Sequence, residues 1–298
     1  MVPLDLGSAV IRVPVADIKG RAPGKTLLVT AGVDGDEYAS IDAAYTMIDE
    51  VNKASFNGRI IIIPIVNMPG YDKETSYNPL DGKYPKLVGV GKKDGTASEK
   101  LIHWLIDTYA RNSDMWLDLH GGSLTEVIRP FLWSWETNVP KIDETAKTFC
   151  QHNSPDFTVF EAYSIFGKDA RLAENGCAYI VGECGGSSVR SEQDTRQHCE
   201  WVRAAMERLS LVPETVQKIK TIPLYRKYRE YTSTLSGVWY PRTTKIGSIK
   251  KGELLGSVKT YDCTKTENIV CQEDAQILWI KEGMKSSDKE ILVAVAYA

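Results

Sequence analysis

Up to Leu211 the chain alternates dense apolar runs with stretches whose apolar residues recur at helical spacing; beyond Ile222 only short runs between Gly, Lys and Asp remain. Dense runs mark strands buried on both faces, and a 3.6-residue period marks helices packed on one. Ala9 to Val15 alternates like an edge strand. Thr26 to Thr30 reads as a buried central strand, followed by a helix from Tyr38 to Asn52 with Ala39, Ile41, Ala44, Met47, Ile48 and Val51 near one face. Arg59 to Val66 is the most hydrophobic run and predicts another buried strand. Residues 71 to 97 lack periodicity, and a loop of about 27 residues inside a compact domain is usually functional rather than filler. Ser98 then caps a helix to Tyr109. Met115 to His120 is a strand, Lys141 to His152 has a helical pattern, Phe157 to Tyr163 a strand pattern, and Tyr179 to Val181 is apolar. Ser191 to Leu211 reads as a helix ended by Pro213. Phe131 to Trp135 alternates, placing Phe131, Trp133 and Trp135 on one side; they line a pocket or a core, and the ordinary burial of aromatics favours the core.

Strands alternating with helices predict an α/β fold over residues 1–215: a mostly parallel, helix-flanked sheet. The runs Val238 to Tyr240, Leu254 to Val258, Ile277 to Ile280 and Ile291 to Ala296 predict a small all-β, barrel-like domain over 216–298. In such open sheets, ligands bind at the carboxyl ends of the strands.

Composition narrows the partners. With 43% hydrophobic and 25% charged residues in 298 the chain is of the soluble globular kind, able to bury a substantial core. A net charge of -3 provides no basic field for nucleic acid or an anionic membrane surface. The cluster Lys218, Lys220, Arg226, Lys227 and Arg229 alternates with Ile219, Ile222 and Tyr225 and reads as a solvated face. No stretch approaches the ~18 apolar residues of a membrane span, and Met1 to Lys19 lacks the pattern of a signal peptide. Six scattered cysteines without a Cys-x-x-Cys pair predict free thiols, hence a cytoplasmic protein. A small molecule or peptide is the expected partner.

Three predicted strands end in chemistry. Thr26 to Thr30 runs into Gly32-Val33-Asp34-Gly35-Asp36-Glu37; Met115 to His120 ends in Asp118-Leu119-His120 before Gly121-Gly122; Tyr179 to Val181 runs into Gly182-Glu183-Cys184-Gly185-Gly186. A zinc hydrolase takes three protein ligands, keeps one position open for water, and places a carboxylate nearby as general base. Asp34 and Glu37 from one turn, the distant His120 and a separate Glu183 supply that set. Asp36 is the alternative to Asp34, which the spacing favours. Asp118, two residues before His120 on a strand, shares its face and either orients it or caps the strand end. Cys184 has no histidine placed to activate it and reads as an inert thiol.

The order of these elements, with Asn67-Met68-Pro69-Gly70 between the first and second and a β region at the end, resembles the succinylglutamate desuccinylase and aspartoacylase family, relatives of the zinc carboxypeptidases. The resemblance covers essentially the whole chain. It implies a zinc carboxypeptidase-like fold with a lipoyl-like β barrel, Asp34, Glu37 and His120 as ligands of one divalent ion, and Glu183 as catalytic base. Two departures stand out. The family's first ligand is His where this chain has Asp34, whose carboxylate reaches as far as an Nδ1 does. A second carboxylate weakens the ion's pull on bound water, so beside Zn²⁺, the expected ion, a harder one such as Mn²⁺ becomes an alternative. Where the family carries Arg and then Asp-Gly-x-Asp-Leu-Asn-Arg, this chain reads Asp81-Gly82-Lys83-Tyr84-Pro85-Lys86, so both arginines are missing. Lys86 and Arg129 are the candidate replacements for gripping a substrate carboxylate. The expected activity is metal-dependent hydrolysis of an amide in an N-acyl amino acid or carboxyl-terminal peptide-like substrate. The alternative is a weakened family member that binds a small ligand in the same pocket. The β domain shapes the pocket or contacts a second copy in a homo-oligomer.

Overall fold

The computed structural model describes residues 1–162, 167–213, 222–242 and 246–298. Lys218, Lys220, the expected strand end at Tyr163 and the expected boundary at 215/216 lie outside them.

A 12-stranded mixed sheet runs through the molecule, with helices on both sides of its central part. Its centre is parallel: Arg59–Ile63, Thr26–Thr30, Met115–His120 and Ala178–Gly186 lie side by side in that order. Each buries both faces, which is why the runs read as continuously apolar. Leu27, Val29, Ile60, Ile62, Leu117 and Ile180 face a core closed by the helices Tyr38–Lys53, Pro140–Asn153 and Glu192–Arg208. Leu28, Ile61, Ile63, Trp116, Tyr179 and Val181 face the opposite core, closed by the helix Ala97–Thr108.

The sheet is mixed where a mostly parallel one was expected. Ala16–Lys19 pairs antiparallel at one edge, and Glu126–Trp135 folds back antiparallel on Ala178–Gly186. The C-terminal strands continue from there: Ala275–Lys281 pairs with Glu126–Trp135, and Ile291–Tyr297 and Lys227–Thr232 add to it, all antiparallel. A second sheet of Thr266–Val270, Leu254–Lys259, Gly237–Pro241 and Lys285–Ser286 covers them, sharing an apolar core around Trp239, Leu255, Val258, Ile277 and Val293.

The helix after the long loop is capped two residues earlier than expected. Thr96 is its N-cap, with its amide donating to Glu99 Oε2 at 2.8 Å, the returning half of a capping box. Ser98 ties the loop down instead: its amide and hydroxyl donate to the two carboxylate oxygens of Asp81 at 2.7 and 2.8 Å. The six cysteines are free thiols, all buried but Cys263. Among the described residues no helix is long and apolar enough to cross a membrane.

Candidate metal centre and active site

The parallel register brings the predicted residues to one edge. Thr30 pairs with Asp118 and His120 with Glu183, so the strands carrying them end level with one another. Asp34 follows Thr30 on a turn braced by the Asn67-Met68-Pro69-Gly70 loop: Asn67 N–H donates to the Gly32 carbonyl at 2.8 Å, and Asn67 Oδ1 accepts from Gly70 N–H at 3.2 Å. Gly35 packs so closely on this loop that a Cβ there would stand 2.1 Å from the Tyr71 nitrogen. Gly121 is equally constrained, since a Cβ would stand 2.4 Å from the Cys184 carbonyl oxygen.

Asp34, Glu37 and His120 converge with one ligand atom each within 4.8 Å of the others, and all three are buried. His120 Nδ1 faces Glu37 Oε2 at 3.0 Å and Asp34 Oδ2 at 3.9 Å. Its Nε2 faces Asp118 Oδ2 at 3.4 Å. Glu37 Oε2 also accepts from Gly121 N–H at 3.0 Å. Asp36 points away to Ser76, whose hydroxyl donates to Oδ1 at 2.7 Å, so the turn presents Asp34 and not Asp36 to the triad.

Asp118 belongs to a buried network that sequence reasoning found only in part. Thr30 Oγ1 donates to its Oδ1 at 2.5 Å, Tyr179 OH to its Oδ2 at 2.9 Å, and Trp116 Nε1 donates to Thr30 Oγ1 at 2.6 Å. The buried Lys168 ammonium lies 4.3 Å from the Tyr179 ring centroid and 4.9 Å from that of Trp116. Burial alone would raise the Asp118 carboxyl, but the charges of His120 and Lys168 and these bonds hold it at about 2. An ionised Asp118 fixes His120 with Nδ1 toward Glu37, the arrangement by which carboxylates orient ligand imidazoles. Tyr179, Thr30 and Lys168 carry no sequence signal of this role: Thr30 meets Asp118 through strand register, Tyr179 from the neighbouring strand, and Lys168 from the helix Lys168–Glu174.

The electrostatics fit a divalent ion. Burial and the Asp34 charge push Glu37 well above the usual carboxylate range. Against the pull of burial, Glu37 and Asp118 push His120 well above its ordinary value. Both shifts mark a pocket with an excess of buried negative charge, which a cation would relieve. Asp34 Oδ1 and Glu183 Oε2 are buried with no hydrogen-bond partner among the described residues. Burial lifts Glu183 to about 7, countered in part by His120 and Lys86. That value suits a group that must both take and return a proton near neutrality.

The two candidate substrate cations are placed differently. Lys86, on the turn Pro85–Leu87, donates to Asp34 Oδ2 at the triad. Arg129 pairs with Asp156 at 2.5 Å and lies over the Phe157 ring. Trp133 and Trp135 stack on each other, continue onto Tyr228 and Tyr179 respectively, and both donate their indole N–H to Glu161 Oε1. They form a packed aromatic wall rather than an open cage. Cys184 is buried, with its thiol on Asp194 and pushed far up by burial; His198 meets its carbonyl and not its sulfur.

Residues 23–209 match the succinylglutamate desuccinylase/aspartoacylase catalytic domain. The chain belongs to this family. Over 187 residues it is 28% identical to an N-alpha-acetyl-L-2,4-diaminobutyric acid deacetylase of Halomonas elongata, a match covering 61% of this chain and 54% of the relative. The chain thus spans about half the length of that curated relative. The fold is shared with a succinylglutamate desuccinylase/aspartoacylase of Rhodobacter sphaeroides (TM-score 0.84, 19% identity, 99% of this chain and 93% of that one). It is shared also with the product-bound ectoine utilization protein EutE (DoeB) of Ruegeria pomeroyi (TM-score 0.82, 20% identity, 97% and 90%).

Proposed function

We propose that this family member is a metal-dependent deacylase that hydrolyses the amide of a small N-acyl amino acid. The observation that carries this reading is the register pairing of His120 with Glu183 beside the buried Asp34, Glu37 and His120 triad. The family match and the Halomonas elongata deacetylase support the reaction class. Asp34, Glu37 and His120 would hold the ion, Zn²⁺ or the harder Mn²⁺. Such an ion supplies Lewis acidity toward the scissile carbonyl and lowers the pKa of a water. Glu183 takes the water's proton at Oε2 and returns it to the leaving amine. Asp118, held by Thr30 and Tyr179, keeps His120 in the tautomer that leaves Nδ1 free for the ion. The aromatic wall of Trp133, Trp135 and Tyr228 lies on the sheet face of Glu183, since Phe131 pairs with Glu183 and Trp133 with Val181.

Metal analysis of protein purified without chelator tests the site. The wild type should carry about one divalent ion per chain, and Glu37→Ala and His120→Ala should carry none. Unchanged metal content in both variants would remove the site. A screen of N-acyl amino acids should then give turnover that Glu183→Gln abolishes. Metal and ligand binding without turnover would instead assign the chain to the binding role.

We assign residues 216–298 to a lipoyl-like β unit on the strength of the apolar core around Trp239 and Val258, although its strands continue the main sheet. A fragment of residues 1–215 that folds alone would support that division. The buried free thiols agree with a cytoplasmic location.

A further inference from the structure

Two carboxylates and one imidazole make the triad more negative by one charge than the family pattern, in which His stands at the position of Asp34. A divalent ion on such a set would be neutralised and would polarise water or a carbonyl weakly. The structure places a compensating charge at that one ligand. Lys86 Nζ hydrogen-bonds Asp34 Oδ2, the same oxygen that lies 3.9 Å from His120 Nδ1, while Asp34 Oδ1 is buried without a hydrogen-bond partner among the described residues. The ammonium thus sits directly on the carboxylate oxygen that faces the triad.

Local structure holds Lys86 there. Pro85 is buried and starts the turn Pro85–Leu87, and the Asp81 to Ser98 bonds anchor the preceding segment to the helix Ala97–Thr108. The Lys86 side chain is 40% exposed, yet its ammonium reaches the fully buried carboxylate of Asp34.

Resting on the metal-site reading above, we propose that Lys86 is a positioning residue acting through Asp34: the ion pair is a nearly neutral ligand unit that stands in for the family's His. It sets the charge of the centre at the ligand where the chain departs from the family. Lys86 therefore serves the metal rather than only a substrate carboxylate.

A charge cycle tests this on the full-length chain, with Zn²⁺ and Mn²⁺ affinities measured by competition against a chromogenic chelator and folding checked by circular dichroism. Lys86→Met leaves Asp34 uncompensated, so the ion should bind roughly tenfold tighter or more. Asp34→His leaves the ammonium beside a neutral ligand, so binding should weaken by a similar factor. The double variant Asp34→His/Lys86→Met should return to within a few-fold of wild type, and Lys86→Arg should match it. Unchanged or weaker metal binding in Lys86→Met would overturn the proposal, as would equal affinities in Asp34→His and the double variant. A lysine with a merely structural role would not give single variants of opposite sign that cancel. If neither the wild type nor Lys86→Met binds metal, the metal-site reading itself fails; if the wild type binds and Lys86→Met is no tighter, only the role of Lys86 fails.

Discussion

Replacing Glu183 with Gln keeps the shape of the side chain and removes its charge, which isolates what the fold gives up to hold a base there. Its Oε2 is buried without a partner, and burial raises the carboxyl from 4.5 to about 7. In the unfolded chain the same group ionises at its ordinary value. Between the two values the folded protein binds the proton more strongly, so the stability this group contributes is present at low pH and is lost as pH rises through the folded value. One pKa unit corresponds to about 1.4 kcal/mol, so the loss approaches about 3 kcal/mol by pH 8. That figure is an upper bound, because the residue keeps some exposure. Urea unfolding of chelator-treated wild type and Glu183→Gln at pH 5 and pH 8 measures it. The stability difference in favour of the variant should widen by about 2 kcal/mol between those pH values, while deacylase turnover is lost. A difference that stays constant from pH 5 to pH 8 would refute the argument that Glu183 is held as a strained buried base.

His198 works in the opposite sense. It is fully buried, with Nε2 3.2 Å from the Cys184 carbonyl, and burial lowers it to about 4. The unfolded chain takes up the proton first, so its contribution is intact above about 6.5 and declines by about 3 kcal/mol as pH falls toward 4. His198→Gln should flatten that acid limb in thermal melts from pH 7 to pH 4, and parallel curves for variant and wild type would contradict it. Gly35→Ala should leave far-ultraviolet circular dichroism nearly unchanged yet cut bound metal to the level of Glu37→Ala, because the new Cβ would stand 2.1 Å from Tyr71 N and 2.3 Å from the Gly70 carbonyl carbon. Wild-type metal content in that variant would show that the turn can yield without moving Asp34.

The central strands were legible because burial on both faces leaves an unmistakable apolar run, as in Ile60 to Ile63. Direction was not. A period of two is the same for parallel and antiparallel neighbours, so nothing local in Glu126–Trp135 tells that it turns back on Ala178–Gly186. Nor does any local pattern tell that Ala275–Lys281, far along the chain, completes that edge. The cap moved from Ser98 to Thr96 because both residues suit a cap, and the choice was made by Asp81, which engages Ser98 from the loop.

The site divides along the same line. Asp34, Glu37, His120 and Glu183 could be read from sequence because each stands where an apolar run breaks at glycine, and those breaks are where a sheet exposes its strand ends. Thr30, Tyr179 and Lys168 could not, since a threonine or tyrosine inside a strand, or a lysine opening a short helix, gives no sign of the cross-strand carboxylate it will meet. The most consequential omission was the pairing of Asp34 with Lys86, separated by 52 positions. From sequence, Asp34 looked like a loss of the family's neutral ligand, and Lys86 like a partial replacement for missing arginines. Set side by side, each accounts for the other: the lysine offsets the charge that the aspartate introduces, and the aspartate gives the lysine a reason to reach a buried triad. On the proposed reading, two departures that would each weaken a metal centre when taken singly become one substitution that conserves its charge.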